Sequence, residues 1–252
     1  MISVYAIIAA EKGAYIMSRA VSVGASTTFV RKGRPGSSPR TALHLLRVCP
    51  LPINIAKALL VREHYLHSLP GGTCLAFGTF ICNRLLGALT FGVGPTNAHR
   101  LVEGATRQDC LTLTRLWLSD ELPGNSESRT LGVAVRSLRK HTAVKFVISY
   151  ADPSQGHVGT IYQASNWLYT GLSQATPLYD IGDGIVRHSR SLSHAYGSHS
   201  VKHFASHGVE VKKVPQVAKH RYVYFLDSSI RHRLNVPVLP CPKKAGAPDG
   251  PR

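Results

Sequence analysis

The fold of this chain is organised around residues 147–169, which read VISYADPSQGHVGTIYQASNWLY from Val147 to Tyr169. The stretch opens in a segment rich in β-branched and aromatic residues, which predicts a buried strand over 145–150. Pro153 ends that strand, because proline has no N–H to donate to a ladder and restricts the residue before it. Residues 157–165 then predict a short helix, and residues 167–171 predict the next strand.

This strand–turn–helix–strand unit predicts a ligand pocket. In such units, ligands gather at the carboxyl end of the first strand and the amino end of the helix. From spacing alone, the alternative is that Asp152 caps a turn and Tyr162 is a half-buried helix residue. The polar side chains expected around the pocket are Asp152, Ser154, Gln155, His157 and Tyr162.

The charge balance indicates a polyanionic partner. The 252-residue chain carries 30 Lys and Arg against 13 Asp and Glu, a net charge of +17. Such a balance in a globular chain most often means nucleic acid; an anionic membrane surface is the competing explanation, but no long basic amphipathic helix stands out. With 44% hydrophobic residues, the chain has enough apolar surface for one domain of roughly 200 residues with appended tails.

Cysteine usage and hydropathy predict a cytoplasmic protein. The five cysteines are scattered and form no CxxC pair, which is typical of reduced thiols. No run of 18 apolar residues exists, so no membrane span is expected. Residues 2–10 are apolar but short, lack a preceding basic stretch and are followed by Glu11-Lys12, so we do not expect a signal peptide.

The chain predicts one central domain, over residues 46–235, between two disordered tails. Residues 1–45 contain a Ser/Thr/Gly/Arg-rich stretch that buries too little apolar surface to order itself, and residues 236–252 are Pro/Lys/Gly-rich. The class is α/β or α+β with one mixed sheet. The elements predicted within the domain are helices over 54–66 and 128–141, a hairpin of strands over 74–82 and 85–91, and strands over 110–118 and 221–226.

An insertion of different character, residues 173–218, precedes the last strand. Residues 187–233 hold nine Lys and Arg, two Asp and Glu, and seven His. His199, His203 and His207 are spaced i, i+4 and i+8, which suits either a metal-binding stripe or a solvated basic face. The residues predicted to contact nucleic-acid phosphates are Arg187, Arg190, Lys202, Lys212, Lys213, Lys219 and Arg221.

Arg115 lies inside an otherwise apolar strand. A buried guanidinium needs an anionic ligand or a protein partner, and Asp120, Glu121 and Asp152 are the candidate ion-pair partners. Strict alternation along the strand predicts two faces. Thr112, Thr114 and Leu116 are expected on one side, and Leu111, Leu113, Arg115 and Trp117 on the other.

His64 and His67 stand i, i+3 at the predicted end of the first helix. That spacing places two imidazoles on one side of a helix, where a metal with carboxylate help can bind. The alternative, favoured for His67, is a histidine that caps the helix carbonyls.

Several pieces of the sequence together resemble a known family. The element order resembles the GNAT acyltransferase fold, and residues 46–228 resemble, more specifically, the Mom family of bacteriophage DNA-modification proteins. The most specific piece is Tyr150-Ala151-Asp152 with Gly156 and Gly159-Thr160-Ile161-Tyr162-Gln163-Ala164. The other pieces are Glu63-His64-Tyr65, Phe91-Gly92, Leu113-Thr114-Arg115-Leu116-Trp117, Asn125-Ser126-Glu127-Ser128 and Lys219-His220-Arg221-Tyr222.

The resemblance implies a mixed, mostly antiparallel sheet flanked by helices and an enzyme that converts adenine N6 in double-stranded DNA to the carbamoylmethyl form. Such a modification shields phage DNA from restriction in the bacterial host cell. Acetyl-CoA is the implied co-substrate, and an iron requirement is a further implication. Family functional positions fall on His64, Arg115, Ser128, Asp152 and Tyr162.

The predicted acetyl-CoA site departs from the ordinary GNAT pattern. Residues 122–129 lack the Arg/Gln-x-x-Gly-x-Gly/Ala spacing that grips the CoA pyrophosphate. Backbone amides at the start of a helix can still hold a phosphate. The residues expected to assist are Asn125, Ser126, Ser128 and Arg129.

The implied substrate requires base flipping, because adenine N6 is paired inside a duplex. Tyr65, Tyr150 and Tyr162 are candidate stacking walls; Tyr196 and Phe204 are further candidates, with core packing the simpler role for Phe204. Two other functions remain open at this point. One is an acyltransferase acting on a small amine or a protein, and the other is a non-enzymatic DNA-binding protein.

Overall fold

The structure is a computed structural model that describes residues 43–243 apart from residues 176 and 199. Residues 1–42 of the predicted N-terminal extension, residues 244–252 of the predicted tail and His199 of the histidine stripe therefore lie outside the described residues. So does the side chain of Arg190. Within the described part of the chain, no helix is long and apolar enough to cross a bilayer.

Seven strands form one mixed sheet, which confirms the predicted fold class. All neighbouring strands are antiparallel except the fourth and fifth in the chain, which are parallel. The strands are β1 (Arg47–Pro50), β2 (Thr73–Ile81), β3 (Arg84–Gly92), β4 (Cys110–Leu118), β5 (Phe146–Ala151), β6 (Leu168–Leu172) and β10 (His220–Phe225). Their order across the sheet is β1-β2-β3-β4-β5-β10-β6.

The β2–β3 hairpin was predicted correctly, and its turn explains why. Cys82 and Asn83 both have positive φ, 47° and 64°. Two successive residues in this region are typical of a type I′ turn, whose twist matches that of the flanking strands. Asparagine tolerates the left-handed conformation better than most residues, so the two-residue link specifies the hairpin register.

Helices cover both faces of the sheet. Helix α1 (Ile53–Glu63) packs Leu59 and Leu60 against one face of β2 and β3. Helix α2 (Ser126–His141) packs Leu131 and Leu138 against the other face, as its apolar spacing predicted. The short helix α3 (Thr160–Gln163) lies beside α2 on that second face.

The first helix ends three residues earlier than predicted. His64 is already extended, with ψ of 136°, and His67 has a positive φ of 44°. The backbone N–H of His64 satisfies the carbonyl of Leu60, and Nδ1–H of His67 donates to the carbonyl of Val61. His64 and His67 therefore do not share a helix face, while the capping role of His67 is confirmed.

The predicted alternation along β4 is wrong beyond Leu113. Phe91 pairs with Leu113, but its neighbour Thr90 pairs with Arg115, so Thr114 is an extra residue in the strand. Such a β-bulge reverses which face the following side chains point to. Leu116 accordingly packs against the core under α2, whereas Trp117 packs on the α1 side.

The insertion before β10 has its own small sheet and core. Strands β7 (Leu178–Asp180), β8 (Arg187–His188) and β9 (Lys212–Val214) pair in the order β8-β7-β9. Helices α4 (Ser189–Tyr196) and α5 (Val201–Ser206) follow β8. Tyr179, Leu192 and Phe204 form the small core, which confirms core packing as the role of Phe204.

Residues 235–243 are packed against the domain, although the composition predicted a disordered tail from residue 236. The backbone N–H of Leu239 donates to the carbonyl of Tyr169 on the edge strand β6, at 2.9 Å. The side-chain amide of Gln163 donates to the carbonyl of Pro242 at 3.1 Å. The free edge of β6 thus offers backbone partners to a segment that composition alone marks as disordered.

Candidate functional site

Strands β4 and β5 separate at their carboxyl ends and open a wedge in the sheet. They pair over three positions only, the last being Thr112 with Ile148. Beyond that pair, β4 follows β3 through the bulge at Thr114, and β5 stays with β10. The candidate site is built at this end of the sheet, from the ends of α1 and β5, the middle of β4 and the start of β10.

Asp152 stands directly after β5, where the sequence predicted it. Its Oδ1 accepts hydrogen bonds from the backbone N–H and the hydroxyl of Ser154, at 3.0 and 2.6 Å. Its Oδ2 lies 2.9 Å from the ammonium of Lys219 at the start of β10. Burial opposes ionisation, yet Ser154 and Lys219 together hold the pKa of Asp152 below its usual value, so the carboxylate is charged at neutral pH.

His64 is almost fully buried at the end of α1 and is neutral. Its Nδ1 accepts a hydrogen bond from the backbone N–H of Leu66 at 3.1 Å, which leaves the proton on Nε2. Burial lowers the pKa of His64 to about 4, and the positive charges of Arg115, His157 and His67 add to this shift. The imidazole therefore offers an N–H donor to the site.

Arg115 reaches the same place from β4. Its Nε donates to the carbonyl of Ser68 at 2.9 Å, and one terminal nitrogen donates to the carbonyl of Thr114 at 2.7 Å. Burial lowers its pKa, but a guanidinium stays charged at neutral pH. Among residues 43–243, no carboxylate lies within ion-pair distance of Arg115, so none of the candidate ion pairs with Asp120, Glu121 or Asp152 is formed.

Tyr65 and His157 complete the open side of the site. Tyr65 is 45% exposed, stacks on His64 at 4.4 Å between ring centroids and lies 6.2 Å from the ring of His157. Burial raises the pKa of the Tyr65 hydroxyl, the negative charge of Asp152 raises it further, and Arg115 acts against both. The Tyr65 hydroxyl therefore keeps its proton at neutral pH.

Tyr162 forms the buried floor behind the site. It packs between Trp167 and Tyr222, with ring centroids 5.2 Å from each. Burial raises the pKa of Tyr162 to about 12, against the opposing effect of the nearby Ser149 hydroxyl. Its hydroxyl therefore keeps its proton, and it can act as a donor.

The turn between Asp152 and Tyr162 is shaped by two glycines in the left-handed region. Gly156 has φ of 69° and Gly159 has φ of 79°. A Cβ on Gly159 would lie 2.4 Å from the ring of Tyr222. The hydroxyl of Tyr222 in turn donates to the carbonyl of Val158 at 2.5 Å, so β10 holds the turn in place.

The predicted cofactor residues lie at the start of α2. Asn125 adopts the left-handed conformation and supplies no side-chain cap. The hydroxyl of Ser126 is buried and donates to the carbonyl of Pro123 at 2.6 Å, and the hydroxyl of Ser128 donates to the carbonyl of Asn125 at 3.1 Å. Arg129 is exposed beside them. No contact in the described structure joins this group to Asp152 or His64.

The predicted nucleic-acid residues fall into two groups. Lys202, Lys212 and Lys213 are exposed on the insertion, and Arg187 is engaged by the carboxylate of Asp183 at 2.6 and 2.8 Å. Arg221 donates to Thr170 on β6 through two nitrogens, both at 2.9 Å. Lys219 pairs with Asp152. Arg221 therefore stabilises the sheet, and Lys219 belongs to the candidate site.

Sequence reasoning missed two partnerships, Lys219 with Asp152 and Arg115 with Ser68. The first depends on β10 lying beside β5 in a register that pairs His220 with Ala151. The second depends on the bulge at Thr114. No local sequence pattern predicts either contact, because both arise from pairing between segments that are distant in sequence.

The expected iron requirement finds no matching donor set. In the described ranges, no group of three His, Cys, Asp or Glu side chains is placed to hold a metal ion. Nδ1 of His64 and both oxygens of Asp152 already have protein partners.

Solved structures that are similar include a GNAT family N-acetyltransferase from Escherichia coli in complex with CoA, at 15% identity and a TM-score of 0.39, covering 76% of this chain and 84% of the other. A spermidine/spermine N-acetyltransferase from Vibrio cholerae in complex with manganese ions has a TM-score of 0.44 at 7% identity, covering 76% and 98%.

The relatives by sequence are more specific, and they place the protein among the transferases. The chain is 30% identical over 210 residues to the methylcarbamoylase Mom of Escherichia phage Mu. The aligned region covers 79% of this chain and 84% of the phage protein. The Mom protein family model matches residues 45–243. The chain belongs to the Mom family.

Proposed function

We propose that this protein modifies adenine N6 in double-stranded DNA with an acyl-derived group, uses acetyl-CoA as co-substrate and protects phage DNA from restriction in the bacterial cytoplasm. Family membership supports the reaction class. The net charge of +17 supports a polyanionic substrate over a small neutral amine.

The observation that carries the proposal is the convergence of His64, Arg115 and Asp152 at one end of the sheet. They come from α1, β4 and the end of β5, three separate parts of the chain. Tyr65 stacks on His64 and lies 6.2 Å from the ring of His157, whose backbone N–H donates to the carbonyl of Asp152. Arg115 donates to Ser68, four residues after His64. A charged acceptor, a charged donor and a neutral donor therefore lie at the same end of the sheet.

This set suits transfer to a weakly nucleophilic amine. N6 attacks the thioester carbonyl carbon of acetyl-CoA, so that a C–N bond forms, the C–S bond breaks and the CoA thiolate leaves, while N6 loses one proton. The ionised Asp152 accepts a hydrogen bond from N6–H and receives its proton once positive charge develops on the nitrogen. Arg115 and Nε2–H of His64 stabilise negative charge that develops on the donor. Tyr162 adds a protonated hydroxyl to hold the base or the donor.

The start of α2 and the wedge can hold acetyl-CoA, which supplies the activated acyl carbon. Asn125 leaves the first turn of α2 without a side-chain cap, and the N–H groups of Glu127 and Ser128 have no partner in the described structure. Such amides, with Arg129 beside them, suit phosphate oxygens. At the wedge, the buried hydroxyl of Thr112 lacks a partner among the described residues, and the separated strand edges offer backbone groups to an extended ligand.

DNA would reach the site across the basic insertion. Lys202, Lys212 and Lys213 are exposed there and can contact phosphates. The adenine must leave the stack to reach Asp152. Tyr65, half-exposed beside His157, is placed to stack on the displaced base.

The test is mass spectrometry of nucleosides from the DNA of a bacterial host that expresses the protein. A heavier adenosine is expected, its added mass identifies the group, and Asp152→Asn abolishes it. Asp120→Asn, at an exposed aspartate outside the site, should leave it unchanged. Unmodified DNA from folded, DNA-binding protein would contradict the proposal, and modification that survives Asp152→Asn would contradict the role of the carboxylate.

A further inference from the structure

The two ends of the insertion are joined by a pair of hydrogen bonds. The chain leaves β6 at Ser173 and enters β10 through Lys219. The backbone N–H of Ser173 donates to the carbonyl of Lys219 at 2.7 Å, and the N–H of Lys219 donates to the hydroxyl of Ser173 at 3.0 Å. Lys219 is therefore fixed at the stem of the basic insertion.

The side chain of the same lysine reaches the site. Its Nζ lies 2.9 Å from Oδ2 of Asp152, with side-chain exposures of 28% for Lys219 and 15% for Asp152. Ser154 holds the other oxygen through its N–H and its hydroxyl. The carboxylate is thus fixed from two sides, and only the lysine comes from outside its own turn.

We infer that Lys219 is a positioning residue that fixes the orientation and charge of Asp152 and ties the carboxylate to the stem of the insertion. An ammonium already paired with a carboxylate and mostly covered is poorly placed for a DNA phosphate, which was the role the sequence predicted for it. The catalytic part of this inference rests on the proposed function, whereas the tie between Lys219 and Asp152 does not.

The chain contains a matched control for this ion pair. Lys145, just before β5, pairs with Asp109 at 3.0 Å, and Asp109 likewise accepts hydrogen bonds from the backbone and the side chain of a neighbouring residue, Thr106. This second pair lies at the amino end of β5, away from the site. Lys145→Met removes an equivalent charge from an equivalent pair.

The first measurement needs no substrate. The pKa of the Asp152 carboxyl is measured by NMR of protein labelled at the seven aspartates, with Asp152→Asn to assign the signal. Tyr65 also interacts electrostatically with this carboxyl, and it lies near His157 and interacts with Arg115. Tyr65→Phe is therefore measured in parallel to separate its effect from that of Lys219. We expect Lys219→Met to raise the pKa of Asp152, and Lys219→Arg and Lys145→Met to leave it low. An unchanged pKa in Lys219→Met would overturn the inference.

The second measurement separates positioning from DNA contact. In Lys219→Met we expect the modification rate at saturating DNA to fall by about tenfold or more, since small displacements of a reacting group cost this much. The salt dependence of DNA binding should stay as in the wild type, and Lys219→Arg should recover most of the rate. Ser173→Ala, which removes one of the two hydrogen bonds at the stem, should lower the rate in the same direction.

The opposite result, a change in DNA binding without a change in rate, would show that Lys219 contacts a DNA phosphate. A phosphate contact contributes about 0.9 to the slope of log K against log salt, so a slope reduced by that amount with an unchanged saturating rate would overturn the inference. If wild-type protein leaves DNA unmodified, the proposed function fails, while the NMR titration still decides whether Lys219 controls Asp152.

Discussion

The Nε atom of Arg115 donates a hydrogen bond to the carbonyl oxygen of Ser68 across 2.9 Å. The bond ties the middle of β4 to the loop that follows α1, and it exists because the bulge at Thr114 turns Arg115 to the α1 face. A second nitrogen of the same guanidinium bonds the carbonyl of Thr114. The fork is thus held in one orientation beside His64.

Replacing this fork should separate activity from stability. Arg115→Lys keeps the charge but replaces the planar fork of separate donor atoms by a single nitrogen, so we expect adenine modification to fall by about tenfold or more. The free energy of unfolding should fall by about 1–2 kcal/mol. Nucleoside mass spectrometry and urea unfolding measure the two effects.

The control for Arg115→Lys is Arg84→Lys, at a guanidinium exposed at the surface and paired with Glu121. Both its activity and its stability should stay close to those of the wild type. Full activity in Arg115→Lys would mean that charge alone, without fork geometry, serves the site.

His64 should make the protein sensitive to mild acid. Its folded pKa of about 4 lies below the ordinary 6.5, because burial disfavours the imidazolium. Between these values the unfolded chain binds a proton that the folded chain does not. The contribution of neutral His64 to the free energy of unfolding is therefore fully present above pH 6.5 and is lost as the pH drops towards 4. The slope is at most about 1.4 kcal/mol per pH unit from this group.

The measurement is urea unfolding of the wild type and His64→Asn at several pH values from 7 to 4. The asparagine keeps an acceptor near the position of Nδ1 and does not titrate, so the variant should lose this part of the acid sensitivity. His232→Asn, at an exposed histidine, should keep the wild-type slope. Equal slopes in the wild type and His64→Asn would show that His64 titrates normally.

The two turn glycines should differ in their tolerance of alanine. Gly156→Ala places a Cβ in open space, so only the left-handed backbone is penalised, by about 1–2 kcal/mol. Gly159→Ala adds a clash with the ring of Tyr222 at 2.4 Å, and overpacking raises the expected loss to about 2–5 kcal/mol. Urea unfolding at neutral pH compares them directly. The reverse order of the two losses would contradict the packing of Tyr222 against this turn.

The exposed lysines of β9 should set the salt dependence of DNA binding. If Lys212 and Lys213 each contact a phosphate, Lys212→Gln with Lys213→Gln lowers the slope of log K against log salt by about 1.8. The saturating modification rate should change little, since neither lysine approaches Asp152. Binding is measured by fluorescence anisotropy over a salt series.

A charge-matched double variant on α2 controls for net charge. Arg136 and Lys140 are exposed on that helix, towards its carboxyl half. Arg136→Gln with Lys140→Gln removes the same two charges and should leave the slope nearly unchanged. Equal losses in the two double variants would mean that DNA responds to total charge and not to the insertion.

Local patterns predicted most of the elements because their causes are local. The type I′ turn at Cys82 and Asn83, the apolar spacing of α2 and the β-branched run of β5 each act through residues close in sequence. Asp152 was placed after β5 for the same reason, since Pro153 ends the strand beside it. The resemblance added His64, Arg115, Ser128 and Tyr162 as candidate functional residues but not the contacts that they make.

The sequence by itself thus determined the mixed fold class, the position of Asp152 and the basic character of the insertion, because periodicity, turn residues and charge are properties of neighbouring residues. Tertiary structure alone decided the bulge at Thr114, the packing of residues 235–243 on β6 and the pairing of Lys219 with Asp152. Each of these depends on which strands pair and in which register, and the pairing is determined by the free energy of the whole sheet.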